Sequence, residues 1–253
     1  MDSEYFSRTE LMIGDAGIKR LQQATIALFG LGGVGGYAAE SLVRSGIGNL
    51  RIIDFDIISK SNFNRQIYAL YSTLGRKKTE VALERLLDIN PQLNITVYDM
   101  IFNKDSDNEV FSPPIDYIID AIDSLNPKCE LIERAVRLKI PIISAMGAAS
   151  RTDDEQLKEG IIWDTGNCPL ARKLRQRLRR RGLKDEKIAV IYSTEPPHGT
   201  LIPVDEHHDE INIGNGRKRP LLPSTAVLPA IVGLKIANKV ISDLLEPLNI
   251  KYK

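Results

Sequence analysis

The chain has few cysteines, no marked excess of charge and no long uninterrupted apolar run. Two cysteines, Cys129 and Cys168, are too few for a four-cysteine zinc knot or a disulfide framework, which favours a reducing compartment. Because 34 basic residues nearly balance 33 acidic ones, a uniformly basic nucleic-acid coat is excluded, although local patches remain open. Lys235 and Lys239 interrupt the apolar stretch near the C-terminus, and residues 1–10 lack a secretory signal pattern. We therefore expect a soluble, cytoplasmic protein with no membrane partner.

Over the first 150 residues, strand-like apolar runs alternate with helix-like ones. The strands read as nearly continuous apolar segments, which is typical of a parallel sheet covered on both faces. Predicted strands are 24–29, 50–55, 95–98, 117–122 and 141–145, and predicted helices are 36–45, 77–88 and 127–139. This pattern predicts a doubly wound, mostly parallel, Rossmann-like α/β sheet with helices on both faces.

After residue 150 the alternation loosens, and we predict a basic α+β appendage to the core. Strands are expected at 160–164 and 188–193, on either side of a basic helix at 171–181. Residues 195–220 are rich in Pro, Gly, His and acids and are expected to form a long surface loop. Ser224 is expected to cap a final apolar helix. The predicted organisation is an N-terminal arm (1–22), a core (23–150) and a C-terminal region (151–253).

A glycine cluster lies between the first predicted strand and the helix after it, and comprises Gly30, Gly32, Gly33 and Gly35. Glycines at these steps allow a tight turn and close approach of a phosphate, and the helix N-terminus supplies N–H donors. Asp54 ends the next strand, where a ribose-binding acid is found in dinucleotide sites. These features are compatible with an NAD-dependent oxidoreductase and with an ATP-consuming enzyme. Glycines that serve only strand–helix packing are a third interpretation.

Polar and basic residues follow the second strand, and they favour ATP. Asn62, Arg65, Gln66 and Lys78 are types that bind phosphate oxygens, Arg as a planar fork and Lys as a point charge. A hydride-transfer site has little use for them, whereas an adenylating site must stabilise charge on the α-phosphate and on leaving pyrophosphate. The alternative is a solvated loop with ordinary surface cations.

Two acids, Asp120 and Asp123, follow the fourth predicted strand. Mg²⁺ usually takes one or two carboxylates together with phosphate oxygens, so this position beside a phosphate site suits it. We favour Asp123 as the metal ligand, because Asp120 is equally compatible with a buried acid that accepts hydrogen bonds from the backbone.

Taken together, these motifs resemble the ubiquitin-activating-enzyme-like adenylation superfamily, which includes the ThiF and MoeB enzymes. The resemblance rests on Gly30-Leu-Gly-Gly-Val-Gly35, Asp54-Phe-Asp56, Asn62-Phe-Asn-Arg65-Gln66, Lys78 and Asp120-Ala-Ile-Asp123. It covers roughly the first 150 residues and implies that the core 23–150 is an ATP-binding adenylation core.

The resemblance implies a role for each of these residues. The four glycines line the phosphates and Asp54 holds the ribose. Asn62, Arg65 and Lys78 bind phosphates, Gln66 belongs to the same cofactor-binding set, and Asp123 binds Mg²⁺. Arg8 resembles the family's N-terminal arginine that reaches the ATP of the partner subunit, which implies a homodimer; an exposed arm residue is the alternative. The implied catalytic residues are Arg8, Arg65, Lys78 and Asp123.

The predicted basic helix distinguishes among members of this superfamily. Its cations are Arg172, Lys173, Arg175, Arg177, Arg179, Arg180 and Arg181. Leu170, Leu174 and Leu178 fall on one face and are expected to anchor it. No acid is interleaved among the cations for i,i+4 pairing, so the helix favours a phosphate backbone, although a merely solvated helix is the alternative.

Cysteine usage gives a second distinction. Members that activate sulfur carriers usually have two Cys-x-x-Cys zinc pairs, and this chain has none. Cys168 is the sole candidate for a thioester in its region, and a small, partly buried thiol is the alternative interpretation.

With these features, nearly the whole chain is similar to the tRNA threonylcarbamoyladenosine dehydratase branch of the superfamily. The resemblance implies that ATP adenylates the carboxylate of the modified adenosine and that the carbamoyl group then closes a ring, releasing AMP and pyrophosphate. The implied cofactors are ATP and Mg²⁺. The implied partners are the tRNA anticodon stem-loop at residues 151–253, a second copy of the chain, and a sulfur-transfer protein. Alternatives are an activating enzyme for a ubiquitin-like or sulfur-carrier protein, an NAD-dependent oxidoreductase and a nucleotide-sensing binding module.

Overall fold

One seven-stranded sheet organises the chain in the computed structural model, which describes residues 5–106, 108–112, 114–199 and 222–252. Its strands are β1 (Thr25–Phe29), β2 (Asn49–Asp54), β3 (Asn94–Asp99), β4 (Tyr117–Asp120), β5 (Ile142–Ala145), β6 (Leu157–Ile161) and β7 (Ala189–Ser193). Their spatial order is β3-β2-β1-β4-β5-β7-β6, and every pairing is parallel except β6 with β7. The predicted mostly parallel sheet is confirmed.

The interior strand β1, third of the seven in spatial order, has all five of its residues buried. It pairs with β2 on one side and with β4 on the other, so the direction of winding reverses there. In open α/β sheets, ligands bind in the crevice outside the carboxyl ends of the strands at such a switch point. The position of a site is therefore fixed by strand order.

Helices cover both faces, as the apolar strands require. They are α1 (Ser7–Gln23), α2 (Gly35–Arg44), α3 (Lys78–Ile89), α4 (Leu125–Arg137), α5 (Pro169–Arg180) and α6 (Val227–Leu245). Buried residues of α1, α2, α3 and α6 share one apolar core with the sheet. Those of α4 and α5 belong to a second core on the other face. The doubly wound architecture follows from this division.

The predicted N-terminal arm is largely the helix α1, which kinks at Gly14 (φ 71°). Ile18 and Leu21 are buried against the core beyond the kink, and Phe6 just before the helix is buried too. A Cβ on Gly46 would lie 3.7 Å from the Phe6 ring, so the first turn of α1 lies near the turn that precedes β2. The segment is thus placed at the amino ends of β1 and β2.

Residues beyond 150 continue the same sheet through β6 and β7. The predicted strand at 160–164 begins and ends earlier, at Leu157 and Ile161, because 162–164 form a 3₁₀ turn in which Asp164 accepts the Ile161 N–H (3.4 Å). The division of roles between 23–150 and 151–253 stays a prediction. Of the predicted loop 195–220, residues 200–220 lie outside the described part of the chain.

The last helix, α6, begins at Val227 and not at Ser224. The Ser224 carbonyl accepts a hydrogen bond from Asn64 Nδ2 (2.9 Å), which holds this residue against the core ahead of the helix. Lys235 and Lys239 interrupt the apolar sequence of α6. Within the described residues, no helix has the length and apolarity needed to cross a membrane.

Candidate nucleotide-binding active site

The glycine loop leaves β1 at the switch point and is too tight for side chains at two positions. Gly30 has φ +93°, and a Cβ there would lie 2.8 Å from the Ala121 carbonyl oxygen. Its N–H donates to the Ile53 carbonyl (2.8 Å), which ties the loop to β2. A Cβ on Gly35 would overlap the Gly30 carbonyl oxygen. Both glycines are required for the backbone path itself.

The outer surface of the loop, by contrast, has room for a ligand. A Cβ on Gly32 would meet only Gln66 Nε2 among the described atoms, at 3.9 Å, whereas one on Gly33 would lie 3.2 Å from the Arg65 carbonyl. Gln66 is buried, and its Oε1 has no hydrogen-bond partner within the described structure. The NH₂ group of Gln66 faces the open space at Gly32 beside the helix N–H groups, and donors placed in this way fit the phosphates of a bound nucleotide.

Asp54 connects the end of β2 to this loop. Its Oδ2 accepts from the Leu31 N–H (2.6 Å) and its Oδ1 from the Asp56 N–H (2.8 Å). Burial raises the pKa of Asp54, and the charge of Asp56 adds to the rise, while Lys78 and the two N–H donors oppose it. The carboxylate therefore holds the loop in shape, in addition to any contact with a ribose.

Lys78 is the first residue of α3 and points into the same edge of the sheet. Its side chain is buried, and Nζ lies 2.7 Å from Asp56 Oδ2, whose carboxyl group is partly exposed. The ion pair lies at the N-terminus of α3, where anions are favoured.

Asn62 and Arg65 lie on the loop between β2 and α3. Asn62 is buried and accepts from the Ser59 N–H through Oδ1 (3.3 Å), closing a 3₁₀ turn. Arg65 donates to the Ser61 carbonyl (2.7 Å). Burial lowers the pKa of Arg65, and the charge of Asp123 opposes the shift. The Arg65 carbonyl lies 3.2 Å from the Cβ position of Gly33 and the Ala121 carbonyl 2.8 Å from that of Gly30, so both segments pack on the glycine loop. The structure thus brings the loop after β2 to the turn after β4.

The two acids after β4 have different surroundings. Asp120 is fully buried and accepts from Lys128 Nζ (2.7 Å), Ser144 Oγ (2.6 Å) and the Ile122 N–H (3.1 Å). Asp123 is exposed and accepts from Ser124 Oγ (3.2 Å). Within the described residues, no group of three or more His, Cys, Asp or Glu side chains is arranged to hold a metal ion by itself. A single carboxylate beside phosphate oxygens still fits Mg²⁺, which keeps several waters.

Sequence reasoning missed Lys128 and Ser144, both of which are fully buried at this edge. The available signal was the position of Lys128 within α4. It stands three, four and seven residues before Leu131, Ile132 and Ala135, all buried, and so occupies the apolar stripe of the helix.

Arg8 is exposed in the first turn of α1. Because the neighbouring Phe6 packs at Gly46, Arg8 lies near the amino ends of the strands, while the glycine loop lies at their carboxyl ends. The structure does not bring Arg8 to the loop of its own chain.

The basic helix α5 is anchored by buried Ala171, Leu174 and Leu178, as predicted for the two leucines, while Leu170 is partly buried. Its cations divide into three groups. Arg177 donates to Asn126 Oδ1, and Arg181 forms ion pairs with Glu130 (3.0 Å) and Glu133 of α4. The acids missing from the helix sequence are thus supplied by a neighbouring helix.

On its other flank, α5 meets the 3₁₀ turn at 162–164 and the residue after it. Arg175 donates to the Thr165 carbonyl (2.7 Å), and the Arg179 guanidinium lies 5.4 Å from the Trp163 ring centroid. The remaining cations, Arg172, Lys173 and Arg180, are exposed and have no side-chain partner among the described residues. These three form the outer stripe of α5.

Cys168 precedes α5 and is buried. Its Sγ accepts from the Ala171 N–H (3.4 Å), and a Cβ on Gly147 would lie 3.4 Å from it. The thiol therefore caps the helix and fills space in the core, which supports the structural interpretation of this residue.

A doubly wound sheet with a glycine loop at its switch point and basic groups around it defines a nucleotide-binding α/β protein. A family model described as ThiF family matches residues 6–251, and the chain belongs to that family. A tRNA threonylcarbamoyladenosine dehydratase of Bacillus subtilis is 37% identical over 248 residues, covering 97% of this chain and 96% of that protein.

Solved structures extend the similarity to three dimensions. The E. coli tRNA N6-threonylcarbamoyladenosine dehydratase in complex with ATP superposes with a TM-score of 0.83 at 30% identity, covering 98% of this chain and 96% of that one. Its complex with AMP gives a TM-score of 0.86 at the same identity, with the same coverage of both chains.

Proposed function

We propose that this protein is an ATP-dependent dehydratase that cyclises threonylcarbamoyladenosine in tRNA. The observation that carries the proposal is the match along nearly the full length of both chains to the Bacillus subtilis dehydratase. The glycine loop, the buried amide of Gln66 and the basic outer stripe of α5 are the features of this chain that support it. Because the substrate is tRNA, the protein is expected to act in the cytoplasm.

The chemistry has two steps. The carboxylate of the threonylcarbamoyl group attacks the α-phosphorus of ATP, and the bond to the leaving pyrophosphate breaks. The carbamoyl group of the same modification then attacks the acyl carbon, loses a proton and displaces AMP, which closes the ring. Because the second nucleophile is intramolecular, its effective concentration is high and no enzyme cysteine is needed.

The roles proposed for residues at the carboxyl edge of the sheet are supported by their position around the switch point. Gly30, Gly32, Gly33 and Gly35 form the phosphate cradle, and Asp54 contacts the ribose. Asn62, Arg65, Gln66 and Lys78 complete the nucleotide site, and Asp123 holds Mg²⁺. The metal, when bound, neutralises charge on the phosphates. The buried environment of Lys78 and Arg65 strengthens their attraction for phosphate oxygens.

Arg8 is proposed to act in the partner subunit of a homodimer. Its position near the amino ends of β1 and β2 keeps it from the glycine loop of its own chain. In a homodimer, the exposed Arg8 of one subunit would reach the glycine loop at the carboxyl edge of the sheet in the other subunit.

The proposed contact surface for the tRNA anticodon stem-loop is the outer stripe of α5, which consists of Arg172, Lys173 and Arg180. The other four cations of α5 are engaged by α4, Trp163 and Thr165, and they shape the helix surface and add to its positive potential.

The test is release of AMP from ATP with tRNA that contains threonylcarbamoyladenosine, with the same tRNA lacking the modification as control. We expect AMP and pyrophosphate to be released only when the tRNA carries the modification. Mass spectrometry should then show that the modified nucleoside has lost the mass of one water. Pyrophosphate exchange stimulated by a small sulfur-carrier protein, and not by modified tRNA, would contradict the proposal and favour a protein-activating enzyme. A sulfur-transfer protein that raises turnover without being adenylated would instead be an accessory partner.

A further inference from the structure

We propose that Lys128 and Asp120, with Ser144, are positioning residues that fix the turn carrying Asp123. These three side chains, the buried lysine cluster, lie at the carboxyl ends of β4 and β5 and are inaccessible to solvent. The inference rests on the proposed role of Asp123 in Mg²⁺ binding. It adds residues that do not themselves reach the nucleotide.

The hydrogen bonds of the cluster are fully matched. Lys128 Nζ donates to Asp120 Oδ2 (2.7 Å), Ser144 Oγ (3.1 Å) and the Ala145 carbonyl (3.0 Å). Ser144 Oγ in turn donates to Asp120 Oδ2 (2.6 Å). An ammonium has three donors and all three are used, so the buried charges are compensated and the geometry is specific.

The cluster connects directly to the turn after β4. The remaining oxygen of Asp120, Oδ1, accepts the Ile122 N–H (3.1 Å), one residue before Asp123. On the other side of the same turn, the Ala121 carbonyl lies so near Gly30 that a Cβ there would be 2.8 Å away. Residues 121–123 are therefore held between the glycine loop and the buried lysine cluster.

Position in the sheet explains why an ion pair is used. Asp120 and Ser144 are register partners in the parallel ladder of β4 and β5, and Lys128 reaches them from α4. One ammonium thus joins two strand ends and a helix at the point where the chain leaves the sheet. A neutral apolar replacement could fill the space but could not orient the Ile122 N–H.

The test separates orientation from stability. Removing one member of a buried pair leaves an uncompensated charge, whereas replacing both is often neutral for stability. We therefore use the double variant Asp120→Leu/Lys128→Met, which replaces the ion pair by apolar side chains of similar volume and removes the acceptor for the Ile122 N–H. The readout is the ratio of ATP dissociation constants measured calorimetrically in EDTA and in saturating Mg²⁺, without tRNA.

We expect the double variant to unfold near the wild-type temperature yet to lose about tenfold of the Mg²⁺ preference for ATP, as outer-shell changes do at metal sites. Ser144→Ala, which keeps the ion pair, should lose about threefold. If the double variant fails to fold, Ser144→Ala decides alone. An unchanged ratio in a folded variant would overturn the inference.

The matched control is the ion pair at the other end of β4. Arg20 and Asp116 pair at 2.7 Å, and Asp116 accepts the Thr25 N–H (2.8 Å). The variant Arg20→Met/Asp116→Leu should keep the wild-type ratio; an equal loss there would mean that general loosening is the cause. The variant Asp123→Asn separates this inference from the proposed metal site. If Asp123→Asn leaves the ratio of ATP dissociation constants unchanged, the assignment of Asp123 as the Mg²⁺ ligand fails. If Asp123→Asn lowers the ratio but the cluster variants do not, only the positioning role fails.

Discussion

The carboxylate of Asp54 accepts the Leu31 N–H at 2.6 Å, so the end of β2 holds the backbone of the glycine loop that follows β1. The second oxygen of Asp54 accepts the Asp56 N–H at 2.8 Å. Both oxygens thus face N–H donors, and an amide in place of the carboxylate would turn one NH₂ group toward a donor. This makes the loop sensitive to an isosteric change.

For Asp54→Asn we therefore expect lower stability by about 1–3 kcal/mol, the cost of an unmatched buried polar group. ATP affinity should fall as well, because the loop loses its fixed shape. Urea unfolding and calorimetric ATP binding check the two effects. Asp99→Asn is the control: this acid ends the edge strand β3 and pairs with Lys77. An equal loss of ATP affinity in it would contradict the prediction.

Two glycine substitutions should act differently. In Gly35→Ala the methyl overlaps the Gly30 carbonyl, so the backbone must shift and the protein should lose several kcal/mol, on the order of 3 or more. In Gly32→Ala the methyl enters open space, so thermal unfolding should change little while ATP binding weakens about tenfold or more. Wild-type ATP affinity in a folded Gly32→Ala variant would show that phosphate does not approach this residue.

The division of cations on α5 predicts which of them bind tRNA. Changing Arg172, Lys173 and Arg180 to Glu should weaken tRNA binding and lower the salt slope of the affinity by roughly two to three, about one for each phosphate that is no longer neutralised. ATP binding should be spared. Filter binding across a series of salt concentrations measures the slope.

The control for that prediction is Arg177→Gln/Arg181→Gln, on the flank that faces α4. This variant should lose stability and leave most of the salt slope intact. If it abolishes tRNA binding while the outer-stripe variant does not, the tRNA-binding surface is on the other flank of the helix.

Cys168→Ser should leave dehydration within about twofold of wild type, because the hydroxyl can still cap α5 and the mechanism needs no thiol. Cys168→Ala removes the cap and should cost about 1 kcal/mol of stability with similar turnover. Intact-mass spectrometry during turnover should find no covalent adduct. Complete loss of activity in a folded Cys168→Ser protein would argue for a thioester intermediate.

Acid sensitivity is expected from Glu40, which is buried and accepts from Arg85 (2.7 Å) and Arg44 (2.8 Å). Burial alone would raise the pKa of Glu40, but the hydrogen bonds from the two arginines outweigh it, and the pKa is lowered. The stabilisation is thus present above the ordinary glutamate pKa and is lost as pH falls through the lowered value in the folded state.

The stability advantage of wild type over Glu40→Gln should therefore be constant from pH 7 to about pH 5 and shrink toward pH 3. Urea unfolding over this range measures it. Glu84→Gln removes an exposed partner of Arg76 and should change stability little at any pH. If the difference in unfolding free energy between wild type and Glu40→Gln stays constant down to pH 3, the arginines do not hold the carboxylate ionised.

Local patterns were sufficient to predict the sheet and the position of the glycine loop. The buried strands, the glycine cluster and the residues Asn62 to Gln66 each lie within short sequence windows, and periodicity locates them. The pairing of Lys128 with Asp120 depends instead on the register of β4 with β5 and on how α4 packs. No sequence window contains that information.

The same limit applies to α5. Its own sequence lacks acids, so it reads as a free cationic face, but Glu130 and Glu133 approach Arg181 from a helix some 50 residues earlier. Packing between helices decides which cations remain available. The antiparallel strand β6 was likewise displaced by three residues from its predicted start, because a turn at 162–164 has strand-like composition.

The close packing of α6 on α2 has a consequence for the order of folding. A Cβ on Gly233 would overlap the Val34 carbonyl, so the last helix lies directly against the start of the helix that follows the glycine loop. About 190 residues separate Gly35 from Val227 along the chain. At about 5–20 residues per second, a ribosome makes the loop roughly 10–40 s before the helix that supports it. The nascent chain therefore contains the sequence of the proposed phosphate cradle long before the cradle can form, and under that proposal ATP can stabilise the fold only once synthesis is nearly complete.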